Sequence, residues 1–504
     1  MFSPGVGKKG EGTSNVQHPT SNIQSSAVFD WRDTLSELCA VNRIAGIETE
    51  YGCLVTGGGT HTESWPTRVK NHLFKKLRVG VLDQHYRDYE EPPGNGGFLL
   101  NGGRFYLDMG HLEYATPECR SVRDLVACDL AGDAMLQGAV EAMGVADSVA
   151  FLKNNIDHET NATFGCHENY LMRRETDFTP ENTGALLSFL ATRQIFTGAG
   201  RVGQASPLAF EIEPLPPFER VEFQMSQRAD HIVNDIYQWV QFNRAIINAR
   251  DEPLADYRRF RRLHLLIGDS NMSPLATALK VGLTHLVLTL IEEDRLPRDV
   301  ALQDAVLATR MVSRACRADA AVLRADGHPD TAMGIQEKFL AAAQSLAGRD
   351  AETDWLLGRW AWVLDALRRG ATEELLGAVD WVSKKWLLET FRVEQGIAWD
   401  DPWLESLDLE YHNLNATRGL FHALPAQGEV ELFNREAFEP SFLRTAPTDT
   451  RAHARGIAVA HCLETREPCV INWDSMSFGG DKMIAMPDPL ATYEEDVRKV
   501  LAEE

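Results

Sequence analysis

Polar and apolar residues alternate with the period of a strand in several short stretches of the first half of the chain, and the second half changes to helical spacing. Arg43–Val55 predicts the first strand. Phe98–Asp108 predicts a second, after a charged, loop-forming stretch, Asp83–Gly97, that ends in EEPPGNGG. Ala150–Asn155 and His167–Met172 predict strands around a polar loop, and Leu263–Ile267 a short buried one. Pro66–Lys76 and Ser121–Met143 carry helical spacing. Gly198–Gly203 reads as a turn, and Ala209–Phe218, with its PLPPF run, as an insertion or hairpin. From Ser273 to about Phe391 the chain is expected to be largely helical, with Trp and Leu on the buried faces. Short elements broken by Gly and Pro follow His412, up to a charged helix at Thr492–Glu504. Strands that gather before a long helical run imply an α+β fold rather than a doubly wound sheet. The expected organisation is a disordered tail at residues 1–40, a catalytic domain at 41–415 and a small C-terminal domain at 416–504.

Composition narrows the function. The chain has 504 residues, enough for roughly two to four domains. A net charge of −23 argues against nucleic acid and anionic membranes as partners. Arg258–Arg262 (RRFRR) is a local exception. The Gly-, Ser- and Asn-rich start lacks the apolar run of a secretory signal. No stretch reaches the ~18 apolar residues of a membrane span. Val281–Ile291 gives way to Glu292, Glu293 and Asp294, and reads as a buried helix. Eight cysteines without a CxxC pair suggest reduced thiols and a cytoplasmic protein. There is no Walker A loop and no dinucleotide fingerprint, so a bound nucleotide would need another device.

Four constellations carry candidate chemistry. In IETEYG (Ile47–Gly52), Glu48 and Glu50 share one strand face while Ile47, Thr49 and Tyr51 share the other. Two neighbouring carboxylates repel unless a cation intervenes, and hard oxygen ligands suit Mg²⁺. Taken alone, the pair is also what an exposed strand would carry. In NGGRFYLDMGHLEYATPE (Asn101–Glu118), Arg104, Tyr106 and Asp108 alternate on one face, as a phosphate clamp, a hydroxyl and a base or nucleophile would. Glu113 begins the next extended piece. His167 and Asn169 share a face in GCHENYL, as a metal ligand and an amide for substrate or nucleotide. Arg262 and His264 lie in RRLHLLIGDSNMS, and are candidates for a phosphate contact and a further metal position. Arg250 is as readily a salt-bridge partner of Asp251 or Glu252. So much charge on strand faces is costly unless a cation and an anion compensate it, and Mg²⁺–ATP is the simplest pair.

The runs GIETEYG, NGGRFYLDMGHLEYATPEC, KNNID, GCHENYL, TRQIFTGAGRVG, SQRADHI, INARDEP and RRLHLLIGDSNMS resemble, in order, the Pup ligase and Pup deamidase/depupylase family, over about Arg43–His412 and more loosely beyond. The resemblance implies a glutamine-synthetase-like antiparallel sheet cradle packed with helices, plus a small C-terminal domain. It implies Mg²⁺ on Glu48, Tyr106 and Glu113, with His167 a further ligand. It implies ATP contacts from Arg104, Thr116 and Trp473, and makes Asp108 catalytic. The implied partners are Pup or a Pup-like modifier, its conjugates and target-protein lysines.

Within the family, the reach from Asp108 to Glu113 through MGHL, with TGAGRVG, AWDDP and WDSMSFGGD, resembles the depupylase branch, which the reading favours. There Asp108 would be the nucleophile or would activate water. GIETE, YLD, GCHENYL, GDSNMS, LKVG and the short Tyr51–Phe98 segment resemble the ligase, the alternative, in which Asp108 would be a base. A glutamate–cysteine-ligase-like enzyme on small amino acids is a second alternative, and a catalytically silent binding module a third.

Overall fold

The computed structural model describes residues 43–56, 64–87, 91–205, 221–239, 243–426, 428–479 and 482–502. The expected tail and the expected insertion at Ala209–Phe218 lie outside the described residues. Those described belong to one compact unit, Cys39–Glu504.

Ten strands make the main sheet: β1 (Ala45–Val55), β2 (Gly80–Leu82), β3 (Gly96–Leu99), β4 (Arg104–Asp108), β5 (His111–Ala115), β6 (Val149–Leu152), β7 (Cys166–Arg173), β8 (Asn234–Tyr237), β9 (Ala245–Asn248) and β10 (Phe260–Leu265). Their order is β8-β9-β10-β7-β1-β5-β4-β3-β2, with β6 against the second half of β1. Every pair is antiparallel except β8–β9, so the expected antiparallel cradle is a mixed sheet with one parallel pair at its edge.

Period-two patterning sets the two faces. Ile47, Thr49 and Tyr51 are buried on the side that helices cover. The helix Pro274–Glu292 packs there, started by the Ser273 hydroxyl, which accepts from the Ala276 N–H at 3.2 Å, with proline in the first turn. It is long and apolar enough to cross a membrane, yet 94% of its apolar window is buried in the protein, as a core helix would be. Glu168 also points into this core, where Arg193 grips both its oxygens and the Tyr170 hydroxyl donates to it at 2.7 Å. Breaking such a buried pair costs about 3–5 kcal/mol.

The last part of the chain forms a three-stranded antiparallel sheet: β11 (Cys469–Ile471), β12 (Ser475–Phe478) and β13 (Lys482–Ala485). With the helices Ala452–Thr465 and Glu494–Ala502 it packs on Phe98 and Leu100 at the end of β3.

Several expected elements differ. Phe98–Asp108 is not one strand: β3 ends at Leu99 and β4 starts at Arg104, because Gly102 takes a left-handed turn (φ +79°). Leu263–Ile267 belongs to a strand that begins at Phe260 and ends at Leu265. The helical run from Ser273 contains a small hairpin, Ala321–Leu323 with Pro329–Thr331.

One buried carboxyl makes stability depend on pH. Glu352 is 5% exposed and accepts from the backbone N–H groups of Val122 (2.9 Å) and Arg123 (3.4 Å). Burial pushes its carboxyl up to about 8. Between the ordinary carboxylate value and pH 8 the folded chain keeps a proton that the unfolded chain releases, so stability falls as pH rises through that window. Glu352→Gln keeps an acceptor and removes the titration. Its stability relative to wild type is expected to grow by roughly 2–3 kcal/mol between pH 4.5 and pH 7, as read by urea unfolding at both pH values.

Candidate active site

Register brings the candidate side chains together. Glu50 lies opposite Glu113, and Glu113 opposite Tyr106, in one row across β1, β5 and β4. Glu48 lies opposite His167, and Asn169 opposite His264. The open face of the sheet therefore carries two adjoining groups. In the first, Glu48 Oε2 is 3.5 Å from His167 Nδ1 and 3.7 Å from His264 Nε2. In the second, Glu50, Asp108 and Glu113 each offer an oxygen within 4.8 Å of the others. The Tyr106 hydroxyl donates to Glu113 Oε1 at 2.5 Å. Asp108 is placed by a tight hairpin, since it pairs with His111 across a two-residue turn of Met109 (φ +46°) and Gly110 (φ +93°).

The electrostatics are those of crowded acids. Burial first, then the charges of Glu50, Glu48 and Asp108, push the Glu113 carboxyl well above its ordinary range. Burial also works to raise Glu48, but the His167 hydrogen bond and the charges of His264, His167 and Arg262 outweigh it and hold Glu48 down to about 2. Burial, helped by Arg262 and His167, pushes His264 down to about 3, so its ring is neutral at pH 7 with a free lone pair. Burial and the charges of Glu113 and Glu48 keep the Tyr106 phenol protonated. Glu50 accepts the Gly165 N–H at 2.8 Å. A Cβ at Gly165 would lie 2.3 Å from His167 Nε2 and 2.7 Å from Glu50 Oε1, so any larger residue there would displace these two side chains.

These residues fit a divalent cation. His167 Nε2 and both His264 ring nitrogens are buried without a hydrogen-bond partner among the described residues. The all-oxygen group of Glu50, Asp108 and Glu113 has the donor chemistry of a Mg²⁺ site. The Glu48–His167–His264 group adds nitrogen donors, which magnesium favours less.

Beside the first group opens a cleft. Glu48, Thr116, Asn169, Arg262, Arg451 and Trp473 line it. Thr116 Oγ1 accepts from the Ile47 N–H at 3.0 Å, and Arg262 donates to Asn169 Oδ1 at 3.4 Å. Of the five residues expected to contact a nucleotide, Thr116, Asn169, Arg262 and Trp473 thus line one cavity. Arg104 does not. Its guanidinium is held by Asp83 (3.2 Å) and Glu91 (2.6 Å) and lies 4.8 Å above the Tyr106 ring. Arg250 pairs with Glu252 at 2.9 Å, and the RRFRR arginines disperse, Arg258 to Asp256 and Arg259 to Asp488.

Residues without an assigned role in the sequence also converge here. Glu118 and Arg451 line the cleft. Arg228, close enough to Glu50 to feel its charge, has Nε and Nη2 buried without a partner among the described residues; Arg201, in the separate two-stranded sheet of Arg201–Val202 with Phe223–Gln224, has Nε and Nη1 in the same state. Asp269 fixes the Arg228 segment by accepting from Ser226 Oγ (2.9 Å), the Gln227 N–H (3.0 Å) and the Arg228 N–H (3.1 Å). The SQRADHI, TGAGRVG and GDSNMS runs were visible as motifs, but strand alternation says nothing about residues on loops.

A mixed-sheet α+β fold with an acidic, cation-fitting face beside a cleft lined by Thr116, Asn169, Arg262 and Trp473 defines the class. The chain matches the Pup-ligase protein family over residues 43–477 and belongs to that family. The Pup–protein ligase of Acidimicrobium ferrooxidans is 36% identical over 478 residues, spanning 91% of this chain and 98% of that protein. The Kocuria rhizophila Pup–protein ligase is 37% identical over 477 residues, with coverage of 91% and 98%. The structure of the ligase PafA in complex with Pup has a TM-score of 0.75 and 31% identity, covering 92% of this chain and 91% of that one. PafA in complex with ADP has a TM-score of 0.70 and 30% identity, covering 89% and 96%. These relatives are ligases. The preference for the depupylase branch finds no specific support in them, and the ligase alternative is the better backed.

Glu48→Ala removes the carboxylate that links the two imidazoles to the cleft. Magnesium-dependent affinity for a non-hydrolysable ATP analogue is expected to fall by about tenfold or more. Calorimetric titration with Mg²⁺ and with chelator reads this, and equal affinities in variant and wild type would exclude Glu48 from the metal site.

Proposed function

We propose that this chain is a Pup–protein ligase, joining the C-terminal carboxylate of Pup or a Pup-like modifier to a target-protein lysine at the expense of ATP. The observation that carries the proposal is the convergence of Glu50, Asp108 and Glu113 on the face that adjoins the Glu48 group and its cleft, in a chain whose relatives named above are ligases over nearly their whole length. All seven described cysteines are free thiols, in keeping with work in the reducing cytoplasm.

In this proposal Thr116, Asn169, Arg262 and Trp473 hold the nucleotide, and Arg104 steadies the acidic face through Tyr106. Glu48, Glu50, Glu113, His167 and His264 hold Mg²⁺, with Tyr106 donating to Glu113. Magnesium supplies positive charge at the transferring phosphate oxygens. The unpartnered N–H groups of Arg228 and Arg201 offer a place for anionic oxygen. Transfer of the terminal phosphoryl group to the modifier carboxylate leaves ADP and an acyl phosphate. The lysine amine then attacks the acyl carbon and phosphate departs. Asp108, fixed by its hairpin, takes the proton the amine loses.

A depupylase is the second reading, favoured by the short Met109–Gly110 turn after Asp108. There Asp108 would attack the isopeptide carbonyl or activate water.

A fluorescent modifier ending in glutamate, incubated with target protein, ATP and Mg²⁺, is expected to gain conjugate. A preformed conjugate incubated in parallel separates the branches: its loss without any gain in the first reaction overturns the ligase. Asp108→Asn is expected to slow conjugation by about 10²–10⁴-fold while nucleotide binding persists. Conjugation at the wild-type rate in that variant would remove Asp108 from the chemistry.

A further inference from the structure

We propose that Arg455 and Glu118 are positioning residues that hold Trp473 in place as a wall of the nucleotide cleft. This rests on the nucleotide reading of that cleft.

Arg455 is fully buried on the helix Ala452–Thr465 and does not line the cleft. Its Nε and Nη2 donate to the Gly102 carbonyl at 3.2 and 3.1 Å. Its Nη1 donates to Glu118 Oε1 at 3.1 Å and to the Trp473 carbonyl at 3.0 Å, and Nη2 donates to Glu118 Oε2. All five guanidinium donors are used. The guanidinium also lies 4.8 Å from the centre of the Trp473 ring, which meets Phe98 edge-on at 5.0 Å. One side chain therefore holds the Trp473 backbone and faces its indole, while anchoring to the β3–β4 turn and to the chain just beyond β5.

Glu118 is the other half. It accepts from Arg455 with both oxygens and from Arg451 Nε at 2.8 Å. Arg451, one helical turn before Arg455, also donates to the carbonyls of Leu254 (2.6 Å) and Met486 (2.9 Å). The acid thus joins the sheet to the part of the chain that supplies Trp473, with a planar bidentate geometry that lysine cannot reproduce.

A substitution acting only through Trp473 should lose its effect once Trp473 is gone. Arg455→Gln is expected to weaken binding of a non-hydrolysable ATP analogue with Mg²⁺ about tenfold, the loss falling on KM for ATP rather than on kcat. Arg455→Gln/Trp473→Ala should bind no more weakly than Trp473→Ala alone. Glu118→Gln, which preserves shape, should show the same dependence on Trp473, and it serves should Arg455→Gln fail to fold. Wild-type affinity in a folded Arg455→Gln or Glu118→Gln protein, or losses that add to that of Trp473→Ala, would overturn the positioning role. Wild-type affinity in Trp473→Ala would instead overturn the nucleotide reading of the cleft, and this inference with it.

Discussion

Like charges brought within 4.8 Å on a half-buried sheet face are the constraint on which the site depends. At an effective dielectric constant of about 20, each ionised pair at that distance repels by on the order of 3 kcal/mol. Such crowding resists ionisation, and Glu113 shows it, its carboxyl pushed well above the ordinary range by burial and then by the charges of its neighbours. A solvated sheet face would spread such residues apart. Here antiparallel register sets Glu50 opposite Glu113, and a tight hairpin returns Asp108 to them.

The opposite face shows what the same chemistry looks like when it serves only the fold. Glu168 is surrounded by Arg193 and Tyr170, and Lys153 donates to Asp129 Oδ2 (2.7 Å) and Asp133 Oδ2 (2.8 Å), so each of these charges has an opposite charge beside it within the chain. On the open face, His167 and His264 keep buried ring nitrogens without a hydrogen-bond partner among the described residues, as does Arg228, close to Glu50, at Nε and Nη2.

Much of this was legible because strands are periodic. Alternation alone put Glu48 with Glu50, Arg104 with Tyr106 and Asp108, and His167 with Asn169, and each pairing holds as a shared strand face. Register was not legible, since it depends on how distant segments pair. The local pattern therefore could not say that Glu113 meets Glu50, that His264 joins Glu48, or that Arg104 turns to Asp83 and Glu91. The NGG turn inside Phe98–Asp108 was passed over because apolar residues continue on both sides of it. Arg451 and Arg455 sit in a helix whose spacing looks ordinary, and their partner Glu118 is more than 300 residues away. The lean toward one branch of the family rested on a one-residue difference in a turn and on the short runs TGAGRVG, AWDDP and WDSMSFGGD, local features that two enzymes sharing a cradle could exchange.

The walls of the cleft come from opposite ends of the sequence. Ile44–Glu48 and Ala115–Glu118 supply one side, while Arg451, Trp473 and Pro489 supply the other. During synthesis the acidic strands leave the ribosome hundreds of residues before Trp473 is made. A nascent chain therefore carries the acidic face before it has the wall of the cleft that Trp473 supplies.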